Sequence, residues 1–131
     1  MIRRALAVLA TLPLCCAAAW AGTVNIDLVP VGDVMNLADT TTGYGAVPYA
    51  YNIGKYDVTI GQYAAFLTAV ATTSDPYGLY NASMATATPT YGITQTSTTA
   101  GFVYAAKGNS ANVPVTYVDW GDAARFCNWL A

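Results

Sequence analysis

The sequence predicts an α+β domain made of short strands and two capped helices. Three observations carry that reading. The stretch YDVTIGQYAAFLTAV, Tyr56 to Val70, runs from a strand end straight into a helix start. The same grammar returns in VPVTYVDWGDAARFCNWLA at the C-terminal end of the chain. Between and before them lie segments whose apolar residues alternate with period two, the mark of half-buried strands.

The first unit has the clearest local chemistry. Thr59 is a good N-cap, and Gln62 stands three residues later, which makes a capping box. Val58 and Tyr63 occupy the staple positions on either side of that cap. Tyr63, Phe66, Leu67 and Val70 fall at i, i+3, i+4 and i+7, an apolar stripe, and the intervening alanines favour helix. The predicted helix spans about Thr59 to Ala71. In the second unit Asp119 is the cap and Asp122 holds the third helical position. Its predicted stripe is Ala123, Phe126, Cys127 and Leu130.

The remaining elements follow in chain order. Residues 1–21 read as a signal peptide. Arg3 and Arg4 form the basic n-region, Ala5 to Ala18 the apolar run, and Ala19-Trp20-Ala21 the cleavage signal before Gly22. The apolar run is shorter than the ~20 residues of a membrane span. Cleavage between Ala21 and Gly22 is therefore expected, with an exported product, periplasmic or extracellular, that does not span the membrane. Cys15 and Cys16 would leave with the signal. Thr23 to Val31 reads as a strand, since Val24, Ile26 and Leu28 alternate with Asn25 and Asp27. A polar loop follows from Gly32 to Val47. Asp33, Asn36 and Asp39 in it are oxygen ligands that invite a calcium reading. The competing reading is a solvated loop whose Asx side chains satisfy their own backbone.

Tyr49 to Val58 reads as a second strand whose alternation switches parity at Gly54-Lys55, as a bulge would produce. Its tyrosines are either a sugar-binding platform or strand packing with hydroxyls at the rim, and packing is the commoner use. Thr72 to Asn112 is rich in small polar residues, with a turn at Asp75-Pro76-Tyr77-Gly78 and a glycosylation sequon at Asn81-Ala82-Ser83. Ile93 to Gln95 and Phe102 to Tyr104 pair as a hairpin, against a disordered loop as the alternative. Val113 to Val118 reads as a third strand with Pro114 at its start.

Composition narrows the function classes. After cleavage, Lys55, Lys107 and Arg125 face seven aspartates, a net charge of −4. Nothing there attracts a polyanion, so nucleic acid is excluded as a partner class. The chain has no histidine and no glutamate, which removes the commonest metal ligand and general base. Cys127 is the one cysteine left, so there is no internal disulfide framework. With an apolar flank and only Arg125 as a basic neighbour, it reads as a small buried hydrophobe and not as a reactive thiol.

These two units resemble the formylglycine-generating enzyme family, the sulfatase-modifying factor domains, in an exported bacterial branch. The residues that carry the likeness are NIGKYDVTIGQYAAFL, with Asp57 where the family has Glu, and NVPVTYVDWGDAARFCNWL. In the second, Pro114, Val115, Val118, Trp120, Asp122, Ala123, Phe126, Cys127, Trp129 and Leu130 match. The structural motif so defined is Thr59, Gln62, Tyr63, Phe66, Pro114, Val115, Trp120, Asp122, Phe126 and Trp129. The resemblance implies a C-type-lectin-like α+β fold, here incomplete. Residues 22–131 would be the N-terminal part of such a domain, truncated before its C-terminal portion. It implies an oxidase that converts a sulfatase cysteine to formylglycine with copper and oxygen, using a cysteine pair near the domain's C-terminal end. No catalytic, cofactor or metal residue carries over to this segment, so copper and calcium belong to a full-length member. The expected function is a secreted domain of this family, non-catalytic as it stands. The alternatives are the leading fragment of the oxidase, a binding module for a protein or glycan at the cell exterior, and a structural extracellular domain with no small ligand.

Overall fold

A computed structural model describes residues 24–131. The signal and its cleavage site, Ala21 and Gly22, lie outside the described residues. Seven elements follow one another: β1 (Leu28–Val31), β2 (Tyr51–Gly54), α1 (Ile60–Val70), α2 (Ser83–Thr86), β3 (Ile93–Thr98), β4 (Gly101–Ala106) and α3 (Trp120–Leu130). The fold is α+β, with two separate two-stranded antiparallel ribbons, β1–β2 and β3–β4.

α1 is the hub, and its start shows why. Thr59 Oγ1 accepts from the Gln62 amide at 3.3 Å, while Gln62 Oε1 accepts from the Thr59 amide at 2.9 Å, the reciprocal box the sequence predicts. That leaves the amides of Ile60 and Gly61, which no residue within the helix can satisfy. The carbonyls of Val113 and Ala111 accept from them at 2.8 and 2.9 Å. Gly61 permits this approach, because a Cβ there would stand 3.0 Å from the Ala111 oxygen. So residues 111–115 do not form the expected strand Val113 to Val118. They make one isolated bridge, Thr59 with Pro114, plus a bond from the Val115 amide to the Val58 carbonyl at 2.9 Å. Pro114 has no N–H to extend a ladder, and Tyr117 turns the backbone away at φ +62°. The segment caps a helix instead of joining a sheet.

The buried face of α1 comprises Ile60, Tyr63, Ala64, Phe66 and Leu67. Val70, expected on it, is 42 % exposed, and Ala71 is fully buried in its place. The reason is β4: Tyr104 Oη donates to the Ala71 carbonyl at 3.0 Å, which seats that ring over the helix end. The β3–β4 hairpin is longer than expected, with only Thr99 and Ala100 between Thr98 and Gly101. The apolar residues that order it are Ile93 and Tyr104, both buried.

Both early strands are shorter than their periodicity suggests. β1 keeps only Leu28–Val31 of the expected Thr23 to Val31, while Val24 and Ile26 pack on the core without forming a ladder. β2 stops at Gly54, where a bend, not a bulge, ends the strand. The Lys55 amide still reaches the Asp27 carbonyl at 2.7 Å. The short α2 has no side-chain cap that would announce it in the sequence. Lys107 Nζ donates to the Ala85 and Thr88 carbonyls at 2.7 and 2.8 Å and so holds the chain at the end of that turn.

Candidate functional site

Two surface features combine side chains that can bind something: a groove beside the α1–α3 contact, and a cleft against β2. The groove is built on the paired helices. Asp119 Oδ1 accepts from the Asp122 amide at 2.8 Å, and the Asp119 amide donates back to Asp122 Oδ2 at 3.4 Å, so the second capping box also forms. The face of α3 that meets α1 is Asp122, Phe126 and Trp129, so of the expected stripe only Phe126 is buried. Ala123, Cys127 and Leu130 are exposed. Two large rings bury far more area than Ala and Cys, and they set the helix rotation. Phe66 lies 5.5 Å from Phe126, edge to face at 90°, and 5.5 Å from Trp129, with Tyr63 at 5.4 Å.

Cys127 is therefore an exposed thiol and not the buried hydrophobe the sequence suggests. Phe126 stays buried, and the helix turns about it so that Trp129 packs on Phe66 and the Cys127 side faces out.

Of the structural motif, Tyr63, Phe66, Phe126 and Trp129 come together in this aromatic cluster. Asp122 joins it as a cap. Thr59, Gln62, Pro114 and Val115 form the junction at the start of α1, where Gln62 Nε2 also donates to the Asn25 carbonyl at 3.0 Å. Trp120 does not join; it is 87 % exposed. Beside the cluster runs a cleft of about 200 Å³ lined by Phe66, Val70, Tyr77, Leu79, Arg125 and Trp129. Arg125 stacks on Tyr77 at 4.3 Å. That pair joins a loop to α3 across 48 positions of sequence, and no local pattern announces it.

The acids around the groove are occupied. Asp75 accepts from the Leu79 and Tyr80 amides at 2.9 and 2.8 Å. Burial pushes the Asp122 carboxyl up, with Asp119 beside it adding repulsion, while the Asp119 amide and Arg125 pull it back. Burial likewise raises Tyr63, whose hydroxyl donates to the Leu79 carbonyl at 3.0 Å. No nucleophile sits beside a base here, and the groove offers apolar area with one cation at its rim.

The second feature is the loop at residues 32–49. Asn36 braces it: Nδ2 donates to the Gly45 carbonyl at 2.8 Å and Oδ1 accepts from the Val47 amide at 2.9 Å. Asp39 Oδ1 accepts from the amides of Thr42 and Thr41 at 2.7 and 2.8 Å and from the Thr42 hydroxyl at 3.1 Å. Asn36 and Asp39 thus behave as the solvated-loop reading has it, each with an oxygen bonded to its own loop, and Asp33 alone does not make a calcium donor set. Copper has no fit either, because Cys127 is the single thiol among the described residues. No three His, Cys, Asp or Glu side chains converge among those residues.

The Thr42 and Thr41 amides hold the Asp39 carboxyl below its ordinary value of 3.8. A depressed folded value means the contribution is present above the ordinary value and is lost as pH falls through the folded one. The amide proton shifts of Thr41 and Thr42 should therefore titrate with a midpoint below 3.8. Asp39→Asn should abolish that titration. A midpoint at or above the ordinary value would contradict the bonding described.

Short antiparallel ribbons around a capped, aromatic helix pair define a small α+β domain in which the two long helices share one core. The profile of the sulfatase-modifying factor enzyme 1-like domain family matches residues 28–131, and the chain belongs to that family. No curated protein and no solved structure matches it. No helix among the described residues is long and apolar enough to cross a membrane.

Proposed function

We propose that this chain is an exported sulfatase-modifying factor-like domain of bacterial type, cleaved between Ala21 and Gly22, whose residues 22–131 bind or scaffold and do not oxidise. The observation that carries the reading is Cys127, an exposed thiol with no second cysteine among the described residues. Formylglycine formation of the kind the resemblance implies uses a cysteine pair. The reading assigns neither copper nor calcium to these residues, and its partners are a protein or glycan at the cell exterior. Nucleic acid is opposed by the seven aspartates. A second reading, the leading part of a formylglycine-generating oxidase acting on a sulfatase cysteine, is favoured by the family match over residues 28–131. It needs a cysteine pair from sequence beyond this segment.

The test is to express the chain with its leader, sequence the exported product, and incubate it with a cysteine-containing sulfatase peptide, copper and oxygen. The expected product begins at Gly22 and leaves the peptide cysteine unchanged by mass spectrometry. Formylglycine in the peptide would refute the non-catalytic reading. A product that retains Met1 in a membrane fraction would refute the cleavage.

A further inference from the structure

The loop at residues 32–49 spends its side-chain hydrogen bonds in an unusual way. Asn36 and Asp39 fix its backbone, as do bonds from the Met35 amide to the Val47 carbonyl at 3.0 Å and from the Asp39 amide to the Tyr44 carbonyl at 2.9 Å. Asp33 and Met35 are held at φ +60° and +69°, conformations that cost a non-glycine residue energy. Yet this fixed loop buries little. Tyr49 and Tyr51, expected as packing residues, are 64 % and 39 % exposed.

What the loop does create is a cleft of about 250 Å³ against β2, lined by Asp33, Asn36, Tyr49, Tyr51, Gly32 and Gly45 among others. The two rings meet at 6.4 Å and 70°, edge to face. Both glycines have open space where a Cβ would stand, so backbone is bare at the cleft wall. Asp33 is the only charged residue in the lining. Among the described residues, the bonds that brace the loop use Asn36 and Asp39, and leave the Asp33 carboxylate and both tyrosine hydroxyls to a ligand.

We propose that this cleft binds one ring of a neutral saccharide, a proposal that rests on the binding-module reading above. An aromatic wall with a few convergent polar groups is the usual composition of a small-ligand site. Tyrosine provides rigid, amphipathic contact area at low entropic cost. A pyranose matches it, with an apolar C–H face for a ring and hydroxyls for Asp33, the phenols and the bare backbone. An anionic sugar would meet the Asp33 carboxylate and is rejected. A compact organic cation is the other ligand an acid and two aromatics could take. It is disfavoured because two rings 70° apart do not close on a cation from both sides, whereas the C–H face of a pyranose needs only one open ring face.

The test is saturation-transfer NMR on the full chain with methyl glucoside, methyl galactoside, N-acetylglucosamine and a neutral glucose tetramer. Glucuronate and tetramethylammonium serve as the charged probes. Transfer from at least one neutral sugar is expected, with a dissociation constant of about 1 mM or somewhat tighter for a single ring. Tyr51→Ala and Asp33→Asn should each weaken it at least about tenfold, roughly 1.4 kcal/mol. Thermal melts of both variants should match the parent, because these side chains are exposed. Transfer from tetramethylammonium alone, from glucuronate as strongly as from the neutral sugars, or from none of the probes overturns the proposal. So does retention of sugar binding in both variants. None of these results bears on formylglycine formation, so failure here and failure of the non-catalytic reading are separable.

Discussion

Phe66→Ala should cost about 3–5 kcal/mol of unfolding free energy, and Phe126→Ala a similar amount. Each ring is almost wholly buried, at 2 % and 3 % exposure. Phe66 touches three other aromatics, Tyr63, Phe126 and Trp129, with centroids 5.4 to 5.5 Å away. Truncation loses the transfer free energy of the ring and leaves a cavity. The helices on either side are each fixed by a capping box, so they cannot easily collapse into it. The Phe66–Phe126 pair is edge to face, a geometry worth about 0.5–1.5 kcal/mol beyond area burial. A double-mutant cycle should therefore show the two losses falling short of additivity by that order. Urea unfolding of the four proteins measures this. Total stabilities are only ~5–15 kcal/mol, so Phe66→Leu and Phe126→Leu keep the cycle measurable if the alanine variants do not fold. Losses below ~1 kcal/mol at both positions would mean the helix pair is not the centre of the core.

What the sequence made legible is what it encodes locally. The capping boxes at Thr59–Gln62 and Asp119–Asp122 depend on residues three apart, and both form. The β3–β4 hairpin also forms, though its strands run on to Thr98 and from Gly101, beyond the short apolar runs that announce it. Three of the misreadings have a distant partner. The rotation of α3 is decided by Phe66, sixty positions before Phe126. The fate of residues 113–115 is decided by the unsatisfied amides of Ile60 and Gly61. Ala71 displaces Val70 because Tyr104 arrives from β4. The shared grammar is itself only partly shared. Gly61 makes room for the Ala111 carbonyl, whereas a Cβ at Gly121 would meet only side-chain atoms, Arg125 Nη1 at 3.0 Å and Asp119 Oδ1 at 3.2 Å. The candidate site was legible to the same extent. Its aromatic half could be read from stripes, but Tyr77 against Arg125 could not, and the exposure of Tyr49 and Tyr51 ran against the commoner use of strand tyrosines.

Gly92→Ala should be among the most damaging single changes in the chain, and the reason is backbone against backbone. Gly92 sits at φ +131°, and a Cβ on it would overlap the carbonyl oxygen of Met84. Neither side can yield cheaply. Met84 lies in α2 and is buried, and Lys107 Nζ ties down the carbonyls of Ala85 and Thr88 around it. On the other side, the Gly92 carbonyl accepts from the Lys107 amide at 2.9 Å, and the next residue, Ile93, is fully buried at the start of β3. Conformational strain of about 1–3 kcal/mol and overpacking of about 1–3 kcal/mol act together, so a loss of ~3 kcal/mol or more is expected. Gly78 supplies the control. It too has a positive φ, +67°, but open space surrounds its missing Cβ. Gly78→Ala should show only the left-handed penalty of about 1–2 kcal/mol. Gly101, at φ +118° with the Thr72 carbonyl in the way, should behave like Gly92. Thermal and urea melts of the three variants separate the two costs. Equal losses at Gly92 and Gly78 would show that the Met84 carbonyl gives way and that α2 is not pinned against β3 as described.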